Sequence, residues 1–99
     1  MTSTVTQRST VVAAKNQLSS DLGGETAILD LKAGMYYGLD DVGTRVWDLV
    51  QEPSNVGDIR DRLLEEYDVA PERCERDLLA LLQRLADEGL IETQDAAPR

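Results

Sequence analysis

The segment Ala27–Leu49, AILDLKAGMYYGLDDVGTRVWDL, constrains the fold more than any other part of the chain. Ala27, Leu29 and Leu31 alternate with Ile28, Asp30 and Lys32, the period-two pattern of a half-buried strand. Lys32-Ala33-Gly34 fits a three-residue hairpin loop with Gly34 at the left-handed position. Met35–Leu39 is the return strand, with Met35, Tyr37 and Leu39 on one face and Tyr36 and Gly38 on the other. A helix begins almost at once. Asp40 is a good N-cap, and Asp41 suits the positive end of the helix dipole. Val42, Val46, Leu49 and Val50 then recur at helical spacing, with Trp47 beside them as a core anchor. Strand, strand and helix in so short a stretch imply a layered α+β unit.

The flanks extend the pattern. Val11–Ala14 and Gln17–Leu22 fit one bent strand or two, and Gly23-Gly24 is a turn signal because both residues accept positive φ. Pro53 breaks the chain after the first helix. Asn55 and Asp58 resemble a variant capping box before the stripe Val56, Ile59, Leu63 and Tyr67. Pro71 opens a third helix and Gly89 ends it, after which Leu90-Ile91 folds back onto the core. Ala70 stands where a Ser or Thr cap would be expected. The expected architecture is a three-stranded antiparallel meander followed by a three-helix bundle. Residues 11–92 form the single domain, with a flexible N-terminus over 1–10 and a flexible tail over 93–99. In such a meander Met35–Leu39 is an edge, whose unpaired N–H and C=O groups invite another strand.

The third helix supplies a second wall. On a wheel at 100° per residue, Cys74, Leu78, Leu81, Leu82 and Leu85 fall together, with Leu79 and Ala86 beyond them. This arc of about 160° is wider than the stripe a surface helix needs. It fits either a helix packed on two neighbours or a helix whose rim stays open as the wall of a groove. Arg73, Asp77 and Arg84 border the Leu81 margin. The candidate peptide-binding residues are therefore Met35, Tyr36, Tyr37, Gly38 and Leu39 on the strand and Arg73, Cys74, Asp77, Leu78 and Leu81 on the helix.

Composition narrows the function classes. Hydrophobic residues make up 41% of the 99, enough for one packed domain. The formal charge is −9, which repels phosphate backbones and anionic membranes and favours a neutral or basic peptide. With no histidine, Ser-His-Asp and Cys-His catalysis and the usual zinc ligand sets are excluded. The carboxylate pairs Glu65-Glu66 and Asp87-Glu88 sit on helix exteriors amid other charges, and no glycine-rich phosphate loop is present. Cys74 has no internal disulfide partner and fits a small buried hydrophobe better than a reactive thiol. No secretory signal or membrane-length apolar run is found, so a cytoplasmic, non-catalytic protein without cofactor or metal is expected.

Gly34-Met35-Tyr36-Tyr37-Gly38-Leu39-Asp40, Gly43, Val46-Trp47, Pro53, the Val56–Ile59–Leu63 helix and Leu85 through Gly89-Leu90-Ile91 together resemble one family. It is the PqqD-like precursor recognition elements of ribosomal peptide (RiPP) biosynthesis, most nearly the free-standing leader-binding proteins of lasso-peptide pathways. The resemblance spans roughly residues 10–92. It implies a winged-helix-like unit in which a leader peptide adds to the third strand and lies against the third helix. It further implies a separate cysteine-protease-type leader peptidase and a cyclase as partners. Relatives serving quinone cofactor synthesis resemble the chain less.

Two other functions compete with this one. A winged-helix DNA-binding regulator would read DNA with the third helix, but Arg73, Arg76 and Arg84 there face Glu72, Glu75, Asp77, Asp87 and Glu88, a poor balance for phosphate contact. An adaptor or oligomerisation module would pair through the same strand edge.

Overall fold

The computed structural model describes residues 5–15, 17–23 and 25–94. In chain order the elements are β1 (Thr10–Ala13), β2 (Gln17–Asp21), β3 (Thr26–Asp30), β4 (Met35–Leu39), α1 (Asp41–Leu49), β5 (Ser54–Asn55), α2 (Val56–Glu66), α3 (Pro71–Asp87) and β6 (Ile91–Gln94). The α+β class is as expected, with more sheet than the sequence suggested. Two antiparallel three-stranded sheets form, in the orders β2-β3-β4 and β5-β1-β6.

The first sheet is the expected meander, with Ile28 opposite Tyr37 and Leu29 opposite Tyr36. Gly34 closes its second turn at φ 69°, and its N–H donates to the Asp30 carbonyl at 2.8 Å. The Asp30 carboxylate accepts from the N–H groups of Lys32 and Ala33, so the loop carries its own polar partners. The face of β3 that turns inward is Thr26, Ile28 and Asp30. Leu29 and Leu31 are exposed at 40% and 56%, the reverse of what the apolar alternation suggested. Ile28 wins the core position because its cross-strand partner Tyr37 packs there, while the turn satisfies the Asp30 carboxylate.

The second sheet is new. β1 pairs with β6 from Ala13↔Ile91 to Thr10↔Gln94, and Val11 also stands opposite Ser54. Thus 11–14 and 17–22 form two strands in different sheets. Strand pairing extends to Gln94, past the expected domain end at residue 92.

The N-terminal segment also departs from expectation. The flexible stretch expected over residues 1–10 is packed from Val5 onward; residues 1–4 lie outside the described residues. Val5 is buried and its N–H donates to Gln83 Oε1 at 2.8 Å. Ser9 is buried too, and its carbonyl accepts from Val56 N–H at 2.9 Å. Arg60 ties this corner to α3, reaching Gln7 Oε1 and Glu75 Oε1 at 3.2 Å each.

The helices start where the sequence indicates, although among the described residues Asp58 makes no reciprocal bond and the Asn55–Asp58 capping box is only half formed. Asp40 Oδ1 accepts from Gly43 N–H at 2.8 Å, and Asn55 Oδ1 accepts from Gly57 N–H at 2.8 Å. Ala70 makes no side-chain cap, and Pro71 begins α3. Gly89 ends it at φ 77°. One core joins Val11, Ile28, Val46, Trp47, Ile59, Leu63, Leu78, Leu82, Leu85 and Leu90.

Leu82 is wholly buried at the centre of α3. Leu82→Ala should destabilise the protein by about 2–5 kcal/mol through lost transfer energy and a residual cavity. Urea unfolding should show a lower midpoint with an unchanged slope.

Arg45 on α1 holds Glu66 at the end of α2 through paired bonds of 2.8 and 2.9 Å. That hydrogen-bonded contact, together with the guanidinium charge, lowers the Glu66 pKa below its ordinary 4.5. A lowered folded pKa contributes stability that is present above pH 4.5 and is lost as pH falls through the folded value. Wild type should therefore be more stable than Glu66→Gln at neutral pH, and the difference should vanish in acid, as measured by thermal unfolding from pH 7 to pH 3.

Candidate functional site

β4 is the end strand of its sheet: β3 pairs with one side and no strand of the described residues pairs with the other. Beside it opens a cleft of about 540 Å³ between the end of β4, α1, the end of α2 with its following turn, and α3 from Arg73 to Arg84. Three local features build it.

The first is the joint between strand and helix. Leu39 is buried, Asp40 caps α1, and Gly43 lets the helix start close to the strand. A Cβ at Gly43 would stand 3.2 Å from Leu39 Cβ and 3.2 Å from Asp40 Oδ1. The second is the apolar floor. Val46 comes from α1, Leu63 from α2, and Cys74 and Leu78 from α3, all buried, with the half-buried Leu81 as the side wall. The third is a charged rim of Asp40, Arg73, Asp77 and Arg84. Arg73 Nε and Asp77 Oδ2 lie 3.6 Å apart on the open surface, a contact that contributes little stability.

Seven of the ten sequence-predicted residues line this cleft: Gly38, Leu39, Arg73, Cys74, Asp77, Leu78 and Leu81. Met35, Tyr36 and Tyr37 do not. Met35 and Tyr36 are exposed at 51% and 66% along the strand that leads into the cleft. Tyr37 packs against the core, and its hydroxyl donates to Glu88 Oε1 at 2.7 Å. That bond ties β4 to the C-cap residue of α3.

The sequence reading missed Asp40, Val42, Gly43, Val46, Leu63, Tyr67 and Val69 as lining residues, and had Arg84 only as a border charge. Their signals were visible as helix stripes and a cap, but the cleft they form depends on how α1 and α2 meet α3. Trp47 is buried, as a core anchor should be. Burial pushes the Cys74 thiol pKa up, away from the reactive thiolate. Among the described residues, no group of three or more His, Cys, Asp or Glu stands together as a metal site, and no helix is long and apolar enough to cross a membrane.

The bond to Glu88 raises the Tyr37 pKa above 10.0, helped by partial burial and the Glu88 and Asp30 charges, and opposed by Arg84. A raised folded pKa keeps the neutral phenol, and so the tie to Glu88, through pH 10.0 until the folded value is passed. In an alkaline absorbance titration, the step missing from Tyr37→Phe should lie above pH 10.0; a step at or below it would contradict the contact.

Comparison with known proteins adds to this geometry. Residues 25–91 match the family of coenzyme PQQ synthesis protein D (PqqD). No curated protein matches the chain. Among solved structures, the chain is similar to TbiB1 in complex with the TbiA(beta) leader peptide. The two share 33% identity with a TM-score of 0.76, over 89% of this chain and 99% of that one.

Proposed function

The chain belongs to the PqqD family, and from that premise we propose that it binds the leader region of a ribosomally made precursor peptide by adding the leader as a strand to β4. The single observation that carries this reading is the open edge of β4 beside an apolar cleft walled by α3, in a chain similar along most of its length to a protein bound to a leader peptide.

The mechanism needs no bond-breaking chemistry. The open N–H and C=O groups of Met35–Leu39 continue the sheet into the leader, which supplies affinity without regard to sequence. Alternate leader side chains then point toward α3, where Leu39, Leu78 and Leu81 receive apolar groups and the rim charges meet polar ones. The exposed Tyr36 side chain meets the leader's opposite face, while the exposed Met35 lies on the same face of the strand as Tyr37 and Leu39.

The protein so described is a recognition adaptor, not an enzyme. It acts in the cytoplasm, where the precursor is made, and holds the leader for other enzymes. We assign it to the lasso-peptide branch, where its partners are a separate cysteine-protease-type leader peptidase and a ring-closing cyclase. The resemblance of the strand sequence Gly34–Asp40 supports this branch over the quinone-cofactor one, and the likeness to TbiB1 supports leader binding itself.

Proline substitution tests strand addition. Adjacent residues of an edge strand send their N–H groups to opposite sides, one into the sheet and one outward. Of Tyr36→Pro and Tyr37→Pro, one removes an internal ladder bond and costs fold stability, while the other removes only an outward N–H. Wild type should bind the leader with micromolar or tighter affinity, about −8 kcal/mol or better. The proline variant that keeps its circular dichroism spectrum should lose binding in fluorescence anisotropy. Unchanged binding by that folded variant would rule out strand addition.

A further inference from the structure

The rim of the cleft carries four charged residues, Asp40, Arg73, Asp77 and Arg84, and three of them are already engaged. The Asp40 carboxylate caps α1 through Gly43 N–H. Arg73 and Asp77 stand together as an i,i+4 pair. Arg84 has no ion pair among the described residues, although two carboxylates lie within a helical turn of it in sequence. Glu88, four residues on, gives Oε1 to the Tyr37 hydroxyl, and Asp87, three residues on, accepts from Gln83 Nε2 at 3.0 Å. Arg84 is exposed.

Its position in the groove is fixed from both sides. The Tyr37–Glu88 bond sets β4 beside the C-terminal end of α3, and Gly38 and Leu39 line the same cleft as Arg84. A strand added to β4 beyond Gly38 therefore passes Arg84. The rest of the surface is acidic, with a formal charge of −9 for the chain. An acidic side chain on a ligand is repelled by that surface at long range and meets an unpaired guanidinium here.

Resting on the strand-addition reading above, we propose that Arg84 sets the register of the bound leader by pairing with an acidic side chain on the face that points toward α3. Backbone pairing alone specifies register weakly, and a slip of one residue would turn every leader side chain to the wrong face. The lining residues Leu39, Leu78 and Leu81 accept apolar groups of several shapes and permit more than one alignment. One charge contact at a fixed point along α3 discriminates among them, because Asp40 repels the acid, Arg73 is already paired with Asp77, and elsewhere the acid stays in solvent. The guanidinium is suited to the task because it presents its donors as a planar fork to a carboxylate.

The test uses a displayed library of random 12-residue peptides, selected separately on the wild-type protein and on Arg84→Glu. Selected peptides are retained as edge ligands if they shift the amide resonances of residues 35–39. Wild-type edge ligands should share an Asp or Glu at one aligned position, and Arg84→Glu should select Lys or Arg at that position. For one such peptide, Arg84→Ala should weaken binding about threefold to fivefold. The same substitution should leave the Glu→Gln form of the peptide unaffected. Edge ligands with the same charge profile on both proteins, or equal losses for the acidic and amide peptides, would overturn the role of Arg84 and leave strand addition standing. Failure of both selections to yield any edge ligand would overturn strand addition and the Arg84 proposal together.

Discussion

The joint between β4 and α1 is the constraint on which the site depends. Leu39 is buried, Asp40 caps the helix, and a Cβ at residue 43 would crowd both at 3.2 Å, all within five residues. Together they turn the chain from strand to helix without a loop. The end of β4 therefore opens directly onto the side of α1, and α3 completes the cleft from across the core. The Tyr37–Glu88 bond makes a second tie between β4 and α3, at the C-cap of the helix. An edge strand held this way remains open on one side, and the fold covers it with neither a helix nor a further strand of the described residues.

Much of this was legible in the sequence because it is local. The Gly34 turn, the Asp40 cap, the Pro71 start and the Gly89 stop each rest on a preference of one residue for one backbone state, and each stands where expected. The edge position of Met35–Leu39 followed from meander topology. What was not legible is non-local. β5 is two residues long and has no period to detect, and β6 pairs with β1 across most of the chain. Val5 and Ser9 carry no pattern that distinguishes them from a frayed terminus, yet both are buried by contacts with distant residues. The faces of β3 were misleading for a related reason. Ala27, Leu29 and Leu31 look like the core set, but Tyr37 and the self-satisfied Asp30 turn draw Ile28 inward instead.

That reversal leaves Leu18, Leu29 and Tyr36 in register across the outer face of the sheet, all exposed. The candidate site shows the same division between local and non-local signals. Leu78 and Leu81 were readable from one helix wheel, whereas Leu63, Tyr67 and Val69 line the cleft only because α2 and its following turn meet α3. Arg84 appeared in the sequence only as a border charge. Its distinction is that its neighbours in sequence are bonded elsewhere, which no spacing rule reveals.

Strand addition requires that the open edge of β4 become a paired edge when a leader binds. Hydrogen exchange read residue by residue in the free and leader-bound protein tests this most directly. Within Met35–Leu39, the alternate amides that point away from β3 should exchange freely without the leader and become protected with it, while the inward ones change little. Saturating leader that leaves the outward amides as fast as before would contradict strand addition, whatever the affinity.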